Sequence, residues 1–325
     1  MFGIEKPGRL CYGCSMKKTL RVGTRGSALA LKQVELFIAA LHRQSPEIEP
    51  EVVVIQTAGD LRTDIPLCCV NSATNTADKG VFIATIEDAL ARGEIDCAVH
   101  SCKDMPGALD DRMMLAAVLP REVIEDTLVI RPGADMHSPV IGTSSVRRAA
   151  MAKAFWGGRA RLVELRGNVP TRLRKLAFSE EMDAILLARA GLNRLGWSGV
   201  NSLKIEGRRL FLTDLNCDSF MPALCQGAIA IETLKGRDDV YELVRRVNDE
   251  PSEVTIRAER AFLAALQADC SVPVAGYASL NGSALMLRIT YFMPDSMPIR
   301  LTLKGEASQP EALAHQAISA LRSHF

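Results

Sequence analysis

Short apolar runs alternate with helix-period segments along most of this chain, and that alternation limits the folds open to it. Residues 19–24 (TLRVGT) read as a strand, and Leu31, Val34, Ile38 and Leu41 then recur on one face of a helix. A second strand is expected at 51–57 (EVVVIQT), followed by a polar loop from Ala58 to Gly80, a helix from about Val81 to Arg92, and a short apolar strand at 97–100. Strand and helix in turn imply a parallel sheet whose post-strand loops collect at one edge, where α/β proteins place their chemistry.

A second series starts near Leu128. It runs through a strand entering Ile141-Gly142, a helix from Ser145, a strand at 161–165, a helix from about Asn168 to Ala177 and a strand at 183–188. The apolar run from Ala228 to Glu232 is one more buried strand, and it can return to the first sheet, making that domain discontinuous. A helix carrying Val254, Ala258, Ala261, Phe262 and Ala265 on one face leads to Cys270. Strands at 284–292 and 298–304 and an amphipathic helix at about 310–322 then suggest a small α+β unit.

The chain has 325 residues and a net charge of +1, yet 28 of its 39 basic residues are arginines. Arginine forks onto carboxylates and phosphates. Between Thr143 and Arg194 nine arginines and two lysines face four acids, so either an anion binds there or a solvated basic face is paired elsewhere. The nine cysteines are odd in number and irregularly spaced, which argues against a secreted disulfide framework. Cys11 and Cys14 form a C-x-x-C pair without the second half of a zinc site, so no metal is expected. No apolar run nears the roughly 20 residues of a membrane span. A cytoplasmic protein is expected, with residues 1–17 as an unstructured extension.

Three strand-to-helix corners share one design. Thr24-Arg25-Gly26-Ser27, Gly142-Thr143-Ser144-Ser145 before Arg147-Arg148, and Leu165-Arg166-Gly167-Asn168 before Arg172 each bring hydroxyls or amides and an arginine to a helix amino terminus. Free N–H groups and the helix dipole favour an anion there. One such corner is ordinary capping; three point to a polyanionic ligand. Lys103-Asp104, closing the strand that contains His100, is either an exposed ion pair or a carboxylate able to steady a cation and move protons. His100 is read as packed against the sheet. Cys270, in a turn fixed by Pro273, has the best local context of the nine for a covalent role, against the alternative of a small buried apolar residue.

These segments together resemble the hydroxymethylbilane synthase, or porphobilinogen deaminase, family from about Leu20 to the carboxyl terminus. The resemblance is carried by RVGTRGSALA (21–30), AVHSCKDMP (98–106), GTSSVRR (142–148), LRGNVPTRL (165–173), AGLNRLG (190–196) and CSVP (270–273), in the family's order. It implies two α/β domains built like periplasmic binding proteins with a cleft between them, plus a small α+β C-terminal domain. The boundaries it suggests are 18–122 with about 222–247, then 123–221, then 248–325. The implied reaction is stepwise deamination and head-to-tail condensation of four porphobilinogen molecules on a covalent dipyrromethane cofactor, with hydrolytic release of the linear tetrapyrrole and loss of ammonia.

By the same resemblance Asp104 is the catalytic carboxylate and Cys270 the cofactor anchor. Lys103, Thr143, Ser145, Arg147, Arg148 and Gln226 would hold the cofactor, while Arg25, Ser27, Arg166, Arg172 and Arg194 would bind substrate carboxylates. Lys79 and Phe82 would belong to a lid. Several positions depart from the family pattern. Ala268-Asp269 stand for Gly-Gly, Cys225 for a glycine before Gln226, Ile124 and Glu125 for Pro and Arg, and Ala84-Thr85 for Lys-Glu. The 59–79 loop is longer than usual and lacks a double glycine before Lys79. A monomer without nucleic-acid or membrane partners is expected; the alternative is a relative that binds an anion without turnover.

Overall fold

Strand β1 (Lys18–Thr24) stops where Ser27 turns the chain into helix α1 (Ala28–Gln44), whose first turn it caps by accepting from the Ala30 N–H at 3.2 Å. The computed structural model describes residues 18–56, 78–266, 273–293 and 296–325; the side chains of residues 18 and 78–82 are outside that description. Helix α1 buries Gln33, Val34, Phe37 and Leu41. They pack on Leu20, Val22, Cys97, Val99, Ile229 and Ile231 of the sheet beneath. Full burial of a side chain such as Phe37 or Leu41 stabilises the packing by about 1.5–3 kcal/mol.

That sheet adds β2 (Ile48–Val54), β3 (Cys97–Ser101), β4 (Met113–Val118) and, from far along the chain, β11 (Ile229–Leu234), in the order β2-β1-β3-β11-β4. β1 runs parallel to β2 and β3, whereas β11 is antiparallel to β3 and β4. The expected return of the 228–232 segment is thus observed. β2 begins earlier than the 51–57 reading because Pro50, a poor residue for a central strand, sits on the sheet's edge where its missing N–H costs little. His100 is buried on β3 and meets Glu232 of β11 at 2.9 Å, as packing rather than catalysis requires. Helix α2 (Asp78–Ala91) precedes β3.

The second sheet is ordered β7-β6-β8-β5-β10-β9, from β5 (Asp126–Ile130), β6 (Val140–Gly142), β7 (Arg161–Val163), β8 (Ala184–Ala188), β9 (Ser202–Ile205) and β10 (Arg208–Asp214). Helices α3 (Val146–Phe155), α4 (Val169–Ala177) and α5 (Arg189–Arg194) follow β6, β7 and β8. β7 ends at Val163 instead of 165, since Glu164 and Leu165 already form the corner into α4. The β9–β10 hairpin was not legible: it turns at Glu206 (φ 48°) and Gly207 (φ 84°) without an Asn-Gly or Asp-Gly signal.

Helix α6 (Asp238–Arg245) packs on the first sheet. Helices α7 (Glu250–Leu266) and α8 (Pro310–Arg322) cover one face of β12 (Val274–Asn281), β13 (Ala284–Tyr291) and β14 (Ile299–Glu306). The architecture is therefore two sheet-bearing α/β domains and a small C-terminal sheet domain.

One buried ion pair joins the third unit to the crossing between the first two. Arg121, just after β4, reaches Glu259 of α7 at 2.6 and 3.1 Å, and its Nε donates to the Gln226 carbonyl at 2.9 Å. Glu259, wholly buried, also accepts from the N–H groups of Ala278 and Cys225. Removing one partner of such a pair strands the other charge. Glu259→Ala is expected to lower the unfolding free energy by about 3–5 kcal/mol, seen as a fall in the urea midpoint at unchanged slope; a shift below about 1 kcal/mol would show that the pair does not hold the units together.

Candidate active site

Each corner read from the sequence is a capped helix start. Ser145 caps α3 by accepting from the Arg148 N–H at 3.4 Å, and its own N–H donates to Thr143 Oγ1 at 3.1 Å. Asn168 caps α4, its side chain accepting from the Thr171 N–H at 2.9 Å, and Pro170 falls in the first turn where a proline is tolerated. Gly167 precedes that cap at φ 117°, a conformation suited to glycine. The Thr143 N–H donates to the Val163 carbonyl at 2.9 Å, so the second and third corners lie side by side. Between them is a cavity of about 230 Å³ lined by Thr143, Ser144, Ser145, Leu162 and Glu164 among others. The first corner belongs to the other sheet: Ser27 caps α1, and Gln33, further along α1, exchanges hydrogen bonds with Ser101 Oγ at the end of β3.

Arg147 and Arg148 are adjacent in the first turn of α3, and both are buried. They share one carboxylate, that of Asp126 at the start of β5, which is 0% exposed. Arg147 Nη2 lies 2.7 Å from one carboxylate oxygen and Arg148 Nη2 2.7 Å from the other. Arg147 also donates to the Met221 carbonyl at 2.8 Å. Burial would raise the Asp126 pKa, but the charges of Arg147 and Arg148 outweigh it and hold the carboxyl well below the usual carboxylate range. Burial depresses Arg147 below its ordinary value despite that partner.

Gln226 extends the cluster to the first sheet. Its amide N–H₂ donates to Asp126 Oδ1 at 3.1 Å and to the Ile124 carbonyl at 2.7 Å, while its carbonyl oxygen accepts from Lys103 Nζ at 3.1 Å. Lys103 and Asp104 stand in a single 3-10 turn (Cys102–Asp104) directly after β3. Burial, joined by repulsion from Arg148 and Arg147 and opposed by Asp104 and Asp126, brings Lys103 down to about 7. Asp104 is half-buried and lies within electrostatic reach of Lys103 and Arg172. Arg172 is itself lowered, first by burial and then by Arg148; its Nε donates to the Gly167 carbonyl at 2.7 Å.

The structure thus brings together Lys103, Asp104, Thr143, Ser145, Arg147, Arg148, Arg172 and Gln226. Arg166 is at the third corner, paired with Glu164 at 2.9 Å. Arg25 is half-buried at the first corner beside Ser27. Arg194 at the end of α5 instead donates to the Gly227 carbonyl at 2.5 Å, and burial brings it down to about 10 against the pull of Glu122. Lys79 and Phe82 fall in the first turns of α2, with side chains outside the described ones. Cys270, Ala268 and Asp269 lie outside the described residues, as do Cys11, Cys14 and the 57–77 part of the loop. The described residues flanking Cys270 are anchored beside the cluster. Gly107, three residues after Asp104, abuts the α7 backbone so closely that a Cβ would lie 2.8 Å from Ala264 N, and the Gly276 N–H of β12 donates to the Pro222 carbonyl at 2.9 Å.

Sequence reasoning missed Asp126, Gln33 and Arg121. The one available signal was an aspartate opening the otherwise apolar run TLVI, a position that burial forbids to a carboxylate without cations. Among the described residues no group of three or more His, Cys, Asp and Glu is placed to hold a metal ion, and no helix is long and apolar enough to cross a membrane.

In charge the cluster sets Arg147, Arg148, Arg166 and Arg172, joined by Lys103 below about pH 7, against Asp104, Asp126 and Glu164, a surplus of cations. Such a donor set fits a ligand bearing several carboxylates. Comparison with known proteins agrees. Residues 20–242 match the family model "Porphobilinogen deaminase, dipyromethane cofactor binding domain", and residues 254–322 match the C-terminal domain of porphobilinogen deaminase. The chain is similar to the porphobilinogen deaminase of Roseiflexus sp. (strain RS-1), 40% identical over 92% of this chain and 94% of that one, and to that of Streptococcus sanguinis, 37% identical over 94% and 95%. A solved structure, the unliganded L-cystine solute receptor of Neisseria gonorrhoeae, aligns with 75% of this chain and 91% of its own at 13% identity and a TM-score of 0.40. Matched along nearly its whole length, the chain belongs to the porphobilinogen deaminase family.

Proposed function

We propose that this chain works as a hydroxymethylbilane synthase through the cluster around Asp126, and that Asp104 is its catalytic residue. The reaction deaminates four porphobilinogen molecules, joins them head to tail and releases the linear tetrapyrrole by hydrolysis, with loss of ammonia. One observation carries the reading: the chain Lys103–Gln226–Asp126–Arg148 joins the post-β3 turn of the first sheet to the α3 corner of the second, so a carboxylate and a bank of arginines share one site.

Each pyrrole of the substrate carries an acetate and a propionate. Arg147 and Arg148 present guanidinium groups only partly neutralised by Asp126, and Arg166 and Arg172 add charge at the next corner, so carboxylates find forked donors. Thr143, Ser145 and the free N–H groups of α3 add hydrogen bonds at a helix start. Arg25 and Ser27 offer the same on the first sheet, and Arg194 joins them by the family motif. When bound, the dipyrromethane cofactor supplies the pyrrole terminus to which substrate units are added. Arg147, Arg148, Lys103 and Gln226 would hold its carboxylates, with Cys270 as the covalent anchor by its match to the family motif. Asp104 accepts the substrate pyrrole N–H, steadies the positive charge that grows as ammonia leaves, and takes up the ring proton released on coupling. Lys79 and Phe82 would close over the cleft.

The same proposal takes the three sheets as three domains with the boundaries given above, supported by apolar clusters that stay within the first and the second of them and by a third cluster built, apart from Leu224, from residues of the last. It includes a cytoplasmic monomer without nucleic-acid or membrane partners; the net charge of +1 supports the absence of nucleic acid. Nothing in the site favours binding without turnover.

Three outcomes are expected. Cys270→Ser is purified without pyrrole adduct, by intact-protein mass, whereas wild-type protein carries one dipyrromethane; an adduct mapped to another cysteine overturns the anchor. Asp104→Asn keeps its fold by circular dichroism but loses about 10²-fold or more in turnover, and near-normal product formation removes it from the chemistry. Lys103 is mostly neutral above pH 7 in the free site, and a bound carboxylate favours its charged form. Porphobilinogen binding to Cys270→Ser at pH 8 should therefore take up a proton, and affinity should fall as pH rises through about 7. Calorimetry in buffers of different ionisation heat reads the uptake, which Lys103→Arg should abolish; equal uptake in both proteins would place the proton elsewhere.

A further inference from the structure

Two cysteines that the reaction leaves unused meet in the core beside the site. Cys102 opens the turn carrying Lys103 and Asp104, and Cys225 immediately precedes Gln226. Both side chains lie in one apolar cluster with Ile83, Met105, Val118 and Ile256. They are 1% and 0% exposed. The backbones at both are fixed: the Cys102 N–H donates to the Ala228 carbonyl at 3.1 Å, and the Cys225 N–H donates to the Glu259 carboxylate. Cys225 is also held at φ 61°, in the left-handed region that a β-carbon resists. Two buried cysteines in one cluster, with both backbones held, are placed for a bond between their sulfurs.

We propose that Cys102 and Cys225 are a dithiol–disulfide modification site, oxidised by hydrogen peroxide, whose closure lowers turnover by displacing the Lys103-Asp104 turn against Gln226. In the first step the Cys102 thiolate attacks one peroxide oxygen; the O–O bond breaks, giving a sulfenic acid and hydroxide, which takes the thiol proton and becomes water. In the second the Cys225 sulfur attacks the Cys102 sulfur, the S–O bond breaks, and a second water leaves with the Cys225 proton. Two thiols give up two electrons and the peroxide is reduced to two waters. Peroxide is close to water in size and reaches a buried pair by local opening.

The surroundings select Cys102 as the attacking sulfur. The hydrogen bond from Cys225, opposed by burial and aided by Arg260 and Arg121, lowers the Cys102 thiol below its ordinary value, while the same bond and burial raise Cys225. Elsewhere among the described cysteines, burial pushes the Cys97 thiol up and brings Cys217 up to about 11. Once local opening admits peroxide, a lowered thiol backed by a resolving partner is the one it oxidises first. Closing the bond draws residues 102 and 225 together, and their neighbours Lys103 and Gln226 are the two ends of the 3.1 Å hydrogen bond that links the sheets. The effect on turnover rests on Asp104 as catalytic residue; formation of the bond does not.

The test treats the holoenzyme with hydrogen peroxide, blocks remaining thiols under denaturing conditions and digests with trypsin without reduction. Peptides 93–103 and 210–235 should appear joined and two hydrogens lighter, with fragment ions placing the bond at Cys102 and Cys225 rather than at Cys97 or Cys217. Turnover should fall about tenfold or more in step with that peptide, since a displacement near 1 Å can cost about 10²-fold, and dithiothreitol should restore it. Cys225→Gly, which relieves the left-handed strain, should keep its turnover under peroxide, and Cys102→Ala serves the same test if that variant folds poorly. Absence of the joined peptide overturns the site. The joined peptide with unchanged turnover, or equal inactivation of Cys225→Gly, overturns its link to activity.

Discussion

The site depends on one buried carboxylate. Arg147 and Arg148 are neighbours on a helix start, and two guanidinium groups withdrawn from water in that position repel each other; at an effective dielectric of about 20, unit charges 4 Å apart interact by roughly 4 kcal/mol. Asp126 sits between them, with one oxygen toward each. Because one negative charge serves two positive ones, the arginines are fixed in place without being neutralised, and positive charge is left over for a ligand. Asp126 begins β5, an interior strand between β8 and β10, so the anion is mounted on a rigid part of the sheet. Gln226 then carries the order at Asp126 to Lys103 on the other sheet through its neutral amide, adding no charge.

The second supporting interaction, Arg121 with Glu259, works on the backbone. Glu259 accepts the Cys225 N–H while Arg121 accepts nothing and donates to the Gln226 carbonyl, so the peptide units on either side of the Cys225-Gln226 bond are held by opposite members of one ion pair. Burial works against the Arg121 charge, and Glu259 more than restores it, so its pKa stands above the ordinary value. A turn carrying a non-glycine residue at φ 61° needs such support. The cost of left-handed backbone at Cys225 is offset by contacts that also fix the neighbouring site residue.

Most of the scaffold was legible in the sequence because its signals are local. Apolar spacing along α1, the caps Ser27, Ser145 and Asn168, and the apolar run of β11 depend on residues within a few positions of each other. What was not legible is long-range. Asp126 meets Gln226 across 100 residues and Arg121 meets Glu259 across 138, and no periodicity reports such a pairing. The start of β2 was misread for a related reason. Pro50 breaks a central strand but not an edge, and only the assembled sheet tells which of the two a strand will be. The roles proposed for Arg147, Arg148 and Asp104 come from motifs, whereas the reason those arginines stay put comes from an aspartate outside every motif.

The chain passes between the first two sheets through the segments 119–125 and 215–228, and these are laced together. Leu119 N–H donates to the Ile229 carbonyl at 3.1 Å and Glu122 N–H to the Gly227 carbonyl at 3.2 Å, with Arg194 reaching that same carbonyl. Gly227, at φ 87°, has no room for a side chain here, as a Cβ would lie 2.3 Å from the Glu122 carbonyl oxygen. Gln226 lies within this crossover and bonds to Asp126 on one side and Lys103 on the other, whereas the corners at Ser27 and Arg166 sit one on each sheet. On the proposed reaction, in which one unit after another joins a lengthening chain, the turn that carries Asp104 is tied through Lys103 and Gln226 to the segment that fixes the two sheets together.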